Sequence, residues 1–382
     1  MALTALGMDM FLPSVPVIAR AFGGDPAAAQ LSVTTYLFGL ALGQLLWGPV
    51  SDRHGRRPVL LLGLALFLAS AAWGAAAASM PEMVALRFLQ GIAMSSGPVI
   101  ARSIVRDLYA REQAADLLAR MQAIFGLVPL LGPLVGALAI GLGGWRAVFW
   151  VYMAIATALL FAVGSGLRET APAERAPIAP GRILANFRRL LGNTQFRSAL
   201  ATMMCAQMGI IAFVSASAVA MVQALQLTPQ AFSWMFSMVM LGQISGGIAA
   251  SRLVRRVGMA RMVRTGARIA LAGGLLIALL AAAGVAHWTA VVVPMVLFIF
   301  GSAFIIPNGV AVALAPFPQI AGAASSLLGA LPFALGAVLS GLLAAAFDGT
   351  LRPMAYTIGF FAVGVFAAER LLFRRMLASA VH

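Results

Sequence analysis

Lysine is absent. All 26 basic side chains counted with it are arginine, set against 11 acids and 3 histidines in 382 residues. Without lysine there is no Walker-type phosphate loop, and no glycine-rich phosphate cradle follows a strand-like run, so nucleotide hydrolysis is not the energy source. The single cysteine, Cys205, lies in an apolar run and reads as a small buried residue, which leaves no internal disulfide and no cysteine metal site. His54, His287 and His382 fall between apolar runs or in the tail, so they build neither a catalytic dyad nor a metal cluster, and no enzyme is expected. Charge is scarce as a whole, at 10%, and no polar stretch is long enough for a soluble output domain.

What remains is apolar: 62% hydrophobic residues, 39 glycines, 20 methionines and a mean hydropathy of +0.97. A spanning helix needs ~20 such residues, so the chain has room for about a dozen with short connections. The expectation is an all-α membrane protein. The first run, Ala2 to Ile18, is interrupted by Asp9, Pro13 and Pro16. It has no basic n-region and no small-residue cleavage site, and so reads as a first span and not as a signal peptide. Further spans fall at Leu31–Val50, Pro58–Ala78, Met83–Ile104, Leu118–Leu142 and Trp145–Gly166, then at Ser198–Val222, Phe232–Ala250, Val263–Ala283, Trp288–Leu314, Ala321–Phe347 and Met354–Phe373. Between the two sets, Arg168 to Arg197 is polar, rich in arginine and proline and low in apolar periodicity. The expected plan is a six-helix half over 1–167, a cytoplasmic linker over 168–197 and a second six-helix half over 198–382.

Gly48-Pro-Val-Ser-Asp52-Arg53-His-Gly55-Arg56-Arg57 stands between the second and third runs. Taken alone it is a tight turn with a charge cluster that cannot cross a bilayer. It also has a second copy, because Leu42-Gly43-Gln44 to Arg57 lies over Leu241-Gly242-Gln243 to Arg256 without a gap, with Ser251 in the place of Asp52. An internal repeat across nearly half the chain marks a transporter built from two related halves. All 26 arginines except Arg20, Arg87, Arg146 and Arg352 fall on one side of the expected topology, which puts both termini in the cytoplasm. Trp73, Trp145 and Trp288 sit at outer span ends as interfacial anchors. A basic balance can signal nucleic acid, but these arginines form short clusters between apolar runs, and no basic surface studded with aromatics is available.

The plan and the motif after the second span resemble the major facilitator superfamily. Arg87-Phe-Leu-Gln90-Gly91 is similar to that family's fourth-span motif, and Gly126-Leu-Val-Pro129-Leu-Leu-Gly132-Pro133-Leu-Val-Gly136 to the fifth-span motif of drug:proton antiporters. Asp9-Met-Phe-Leu-Pro13, with Ala101-Arg102-Ser-Ile-Val-Arg106-Asp107, resembles the bicyclomycin and chloramphenicol resistance branch. The resemblance covers essentially the whole chain and implies alternating access, a bacterial inner membrane and gating roles for Gly48, Asp52, Arg53, Gly55, Arg56 and Arg57. The sequence departs from the pattern in two places: the tenth-to-eleventh loop has no arginine, and the second motif copy lacks its acid.

Of the 11 acids, Asp9 alone sits deep in a span. A carboxylate in hydrocarbon must pair, face water or take a proton. The bland alternative, an unspanned tail ending at Asp9, leaves Phe11 to Ile18 too short to cross. Arg87 is the second isolated charge, sharing one helix face with Gly91, Ser95, Pro98 and Arg102. It either snorkels to the headgroups or pairs with Asp9; a nearby cation favours an ionised carboxylate while burial opposes it, so movement of either partner would switch proton affinity. Gly132 and Gly136 allow close backbone approach, and Pro129 and Pro133 bend the helix, as Pro332 would in the second half. Spans seven to twelve carry no deep charge, only Gln207, Ser215, Gln243 and Asn308 among methionines and phenylalanines. Met8, Tyr36, Gln44 and Gln207 are expected to line a pliable substrate cavity. The expectation is a monomeric secondary transporter that exports small amphipathic compounds, antibiotics included, in exchange for protons and without a cofactor. The alternative is an exporter of a sugar, nucleoside or other metabolite on the same fold.

Overall fold

The computed structural model describes residues 2–23, 25–109, 126–171 and 180–370, with positions 113, 117 and 121 between them. Among the described residues every regular element is helical. The first span is α1 (Ala2–Asp9), a 3-10 turn (Leu12–Ser14) and α2 (Val15–Ala21); α3 (Pro26–His54), α4 (Arg56–Ala76), α5 (Met80–Leu108) and α6 (Val128–Gly166) follow. Then come α7 (Pro180–Gly192), α8 (Thr194–Ala224), α9 (Pro229–Val257), α10 (Met259–Ala282), α11 (Thr289–Leu314), α12 (Ala321–Ala345) and α13 (Arg352–Ala368).

Nine of the described helices are long and apolar enough to cross a membrane. At 39 residues α6 is twice the needed length, and non-helical torsions at Gly143 and Gly144 break it into the fifth and sixth spans. With the broken first span and the shorter α13, this gives the twelve spans that the apolar runs call for. Most of the expected start of the fifth span at Leu118, and the end of the twelfth beyond Arg370, lie outside the described residues. Leu142, Phe161 and Phe360 are exposed, as lipid-facing side chains are.

The helix starts are written locally. Asp25, Ser79, Asn193 and Thr228 each accept a hydrogen bond from a backbone N–H in the first turn they cap. Pro26, Pro81 and Pro229 stand in those first turns, where a missing N–H costs nothing. Two elements differ from the sequence expectation. The linker is not structureless: α7 forms because Leu190 repeats the apolar spacing and is wholly buried, while Arg188 and Arg189 stay exposed. The motif after the second span is mostly helix, since Gly48 through His54 complete α3 and only Gly55 makes the turn.

Contacts divide the chain into two compact units, Met1–Ile178 with Phe333–Ala344 and Ala179–Pro332 with Ala345–His382. The units repeat each other helix by helix. Both α3 and α9 have 29 residues, and both end on a glycine in the left-handed region, Gly55 at φ 101°, ψ 155° and Gly258 at φ 80°, ψ 155°. The ungapped sequence match sets Val254 opposite Gly55, so it is slipped by one helical turn. The ungapped match pairs all three arginines, Arg53, Arg56 and Arg57; the register of the turn glycine pairs only Arg53, with Arg256. Within the first unit, Gly39 and Gly43 let α3 lie against α5 at Phe88 and Ile92. Within the second, Gly242 and Gly246 bring α9 onto α11 at Val296 and Phe300 in the same manner.

Candidate functional site

The first span breaks where its prolines demand it. Pro13 and Pro16 have no N–H, so the carbonyls of Asp9 and Leu12 lose their helical partners and α1 stops at Asp9. The chain tightens instead, with the Met10 N–H on the Leu6 carbonyl and the Phe11 N–H on the Met8 carbonyl, each at 3.1 Å. Asp9 itself is only 6% exposed. The fifth-span glycines explain how it is housed. A Cβ at Gly132 would stand 2.9 Å from the Asp9 Cβ, and one at Gly136 would collide with the Met10 carbonyl. Those two glycines therefore let the α6 backbone press directly on the break. Pro129 sits in the first turn of α6 and Pro133 inside it, with Gly126 just before the helix starts.

Arg87 projects from α5 to the C-terminal end of α1 and is wholly buried. Snorkelling to the headgroups is thereby ruled out. Nor does an ion pair join it to Asp9, whose carboxylate makes no hydrogen bond or ion pair among the described residues; the expected pairing is absent. The charge is met by neutral groups. Arg87 Nη1 donates to the Gly7 carbonyl and to Gln90 Oε1, each at 2.9 Å. Its guanidinium carbon lies 4.0 Å from the Phe11 ring centroid and 4.1 Å from that of Tyr36. Carbonyls at a helix C-terminus and aromatic faces both favour a cation, which is how an arginine can be kept in an apolar bundle without an acid. Arg87 Nε and Nη2, with Gln90 Nε2, still lack a partner.

The same stretch of α1 is held from two more directions. The Tyr36 hydroxyl donates to the Thr4 carbonyl at 2.7 Å, and the Tyr152 hydroxyl lies 3.1 Å from the Gly7 carbonyl and 3.3 Å from that of Leu6. Tyr36 is thus committed to α1 and is not the free donor expected for a substrate. Met8 and Gln44 are buried in the same unit, and Gln207 is half-buried in the other. The sequence reading gave no role to the Phe11 ring and did not single out Tyr152; Tyr152 is one of only 4 tyrosines and the only one in the sixth span, which is the signal that could have raised it.

At the far end of α3, Arg56 pairs with Asp52 and, at 3.0 Å, with Asp107 of α5, and it donates to the Ser51 hydroxyl at 2.7 Å. Arg57 reaches the Gly164 carbonyl at 2.6 Å, while Arg53 is exposed. A residue that the sequence ranked as one more loop acid completes this end. Glu169 accepts from the backbone N–H groups of Arg56 at 2.8 Å and Arg57 at 3.2 Å, capping α4 from outside the helix. Partial burial pushes its carboxyl up, but backbone donors at Ala171, Arg56, Thr170 and Arg57 outweigh this and hold it below the usual carboxylate range. Gly55 makes the approach possible twice over, since its backbone is left-handed and a Cβ there would lie 2.5 Å from Glu169 Oε2.

Twelve spans in two repeated units, with Asp9 and Arg87 buried deep in the first, define a membrane transporter and not an enzyme. The chain belongs to the Major Facilitator Superfamily, whose profile matches residues 1–219. It is 30% identical over 361 residues to a bicyclomycin resistance protein homolog of Haemophilus influenzae, covering 94% of this chain and 90% of that protein. A chloramphenicol resistance protein of Pseudomonas aeruginosa is 31% identical, over 89% of this chain and 79% of its own length. Among solved structures, a D-xylose-proton symporter superposes with a TM-score of 0.76 over 96% of this chain and 94% of its own, at 18% identity, which is a likeness of fold.

Proposed function

We propose that this chain is a monomeric secondary transporter of a bacterial inner membrane, with both termini in the cytoplasm, that exports small amphipathic compounds, antibiotics included, in exchange for protons. The observation that carries the reading is Asp9. A deep carboxylate must pair, face water or take a proton, and Asp9 has no pairing partner among the described residues; the two remaining states are the ones an exchange cycle alternates between. It sits at the break of the first span, where a small shift of α1 would carry it between water and the packed face of α6. Arg87 is the positioning residue, a fixed cation on the last turn of α1 that ties this break to α5 and α3. The motif end of α3 serves as the gate, because Arg56 joins α3 to α5 through Asp52 and Asp107 and must exchange these partners if the helices part. The names of the bicyclomycin and chloramphenicol relatives, similar over most of this chain, support antibiotics as substrates.

A neutral molecule suits this site better than a permanent cation, which would compete with the proton for Asp9 and meet the field of Arg87. Exchange of a proton for a neutral compound also moves net charge. The test is drug-susceptibility profiling of a pump-deficient bacterium that expresses the chain. Resistance should rise for neutral antibiotics of the phenicol or bicyclomycin type and return to baseline with Asp9→Asn. Unchanged susceptibility to every neutral compound, or strong protection against quaternary ammonium compounds alone, would defeat the reading.

A further inference from the structure

The arginine cluster at the end of α9 lacks the counter-charges that its first-unit counterpart has. In the first unit Arg56 meets Asp52 and Asp107, and Glu169 caps the helix behind it. The second cluster runs through Arg252, Arg255, Arg256, Arg261, Arg264 and Arg268, and no acid occurs anywhere between Glu174 and Asp348. Among the described residues only Arg264 meets a carboxylate, that of Glu369 at 3.7 Å. Arg252 and Arg256 are exposed and line an open depression of about 680 Å³ together with Ala249, Ser251 and Leu253. The positive-inside rule accounts for arginines at this end of the helix. It does not account for their lacking acids, since the first cluster has the same sidedness and is neutralised.

The surface below the cluster says what would neutralise it. Trp234, Met238, Leu241, Ser245 and Ile248 recur along α9 at steps of three and four, all exposed, and the same face continues into Arg252 and Arg256. Four of these five are large and apolar, and Ser245 turns its hydroxyl back onto the Leu241 carbonyl, so the stripe offers hydrocarbon contact along its length. Two guanidinium groups one turn apart, at the head of an apolar stripe, match an amphiphile with an anionic phosphodiester. A free phosphate would use the arginines and leave the stripe without purpose. We infer that Arg252 and Arg256 bind the phosphate of an anionic phospholipid, whose acyl chain lies along the α9 stripe. In the orientation proposed above this is the cytoplasmic leaflet, where such headgroups attract basic side chains near a span end.

The test uses the full chain, purified in zwitterionic detergent, and fluorescently labelled phosphatidylglycerol as the probe. Wild-type protein should bind this probe in preference to labelled phosphatidylcholine. The double variant R252Q/R256Q should weaken binding about 30-fold, on the order of five- to sixfold per arginine. The charge-retaining R252K/R256K should keep most of the affinity, and Arg352→Gln, outside the cluster, should change nothing. Raising the salt from about 0.1 to about 1 M shortens the screening length from about 10 to about 3 Å and should weaken wild-type binding without any variant. Equal binding of the two lipids, salt-independent binding, or R252Q/R256Q binding as wild type would each overturn the assignment. Displacement of the probe by millimolar inorganic phosphate as readily as by unlabelled phosphatidylglycerol would also overturn it, in favour of a soluble anion.

Discussion

Met295 and Phe298 in α11 stand where Arg87 and Gln90 stand in α5, in the register fixed by the glycine contacts of α3 on α5 and α9 on α11. Around Arg87 the first unit gathers hydroxyls, carbonyls and aromatic faces; around Phe298 the second packs sulfur and rings. The Phe298 ring lies directly on Gly209, Phe213 stacks on Phe236 at 5.4 Å, and Met203, Met204 and Met208 are buried nearby along α8. The same helix packing therefore supports a charged core and an apolar one. Because the second unit folds without buried charge at these positions, the polar cluster of the first is not what specifies the fold, and its desolvation is a cost that points to function.

The largest expected effect comes from forcing the second core to imitate the first. Met295→Arg places a cation where no helix C-terminus, carboxamide or pair of ring faces is arranged to receive it, and it should cost ~2.5–3.5 kcal/mol. A thermal melt in detergent checks this; a variant that melts as wild type would mean that the second core is more polar than its side chains imply. The reverse exchange should be milder for folding and severe for transport. Arg87→Met combined with Gln90→Phe replaces a buried charge by apolar groups, a change that is often close to neutral for stability. The protein should remain folded in the membrane and lose proton-coupled export, and retained export would separate Arg87 from the mechanism.

The smallest effect belongs to Glu169. A carboxyl held low in the folded state contributes stability that is fully present above its unfolded value, about 4.3, and is lost as the pH falls through the lower folded value. Glu169 is exposed, so screening limits its contribution to less than about 1 kcal/mol. Glu169→Gln should lower the melting temperature slightly at neutral pH and flatten its fall below about pH 4.3. Parallel acid curves for variant and wild type would show that the cap on α4 carries no stability.

The spans were legible because a bilayer imposes one rule on every segment, and the runs from Leu31 to Phe373 obey it. Asp9 and Arg87 were legible for the same reason in reverse, as charges where that rule forbids them. Their surroundings were not. The partners of Arg87 are a main-chain carbonyl and two ring faces, which have no sequence signature, so the acid that seemed to match it was the wrong partner. Glycines gave mixed service. Gly132 and Gly136 were read as sites of close approach, and the approaching chain proved to be the Asp9–Met10 break itself. Gly55 was read as a turn, but its counterpart Gly258 was missed because matching the three arginines Arg53, Arg56 and Arg57 draws the repeat one helical turn out of the register in which the glycines coincide. Glu169 and α7 were hidden in a polar stretch, where composition suggests a loop whatever the backbone does.

The central claim is that Asp9 carries the coupling proton. It is tested most directly by purified protein in liposomes that trap a pH-sensitive dye, with a neutral phenicol gradient as the driving force. Wild-type protein should move protons against the drug, and Asp9→Asn should still bind the drug but move none. Drug-driven proton movement through Asp9→Asn at the wild-type rate would contradict the account.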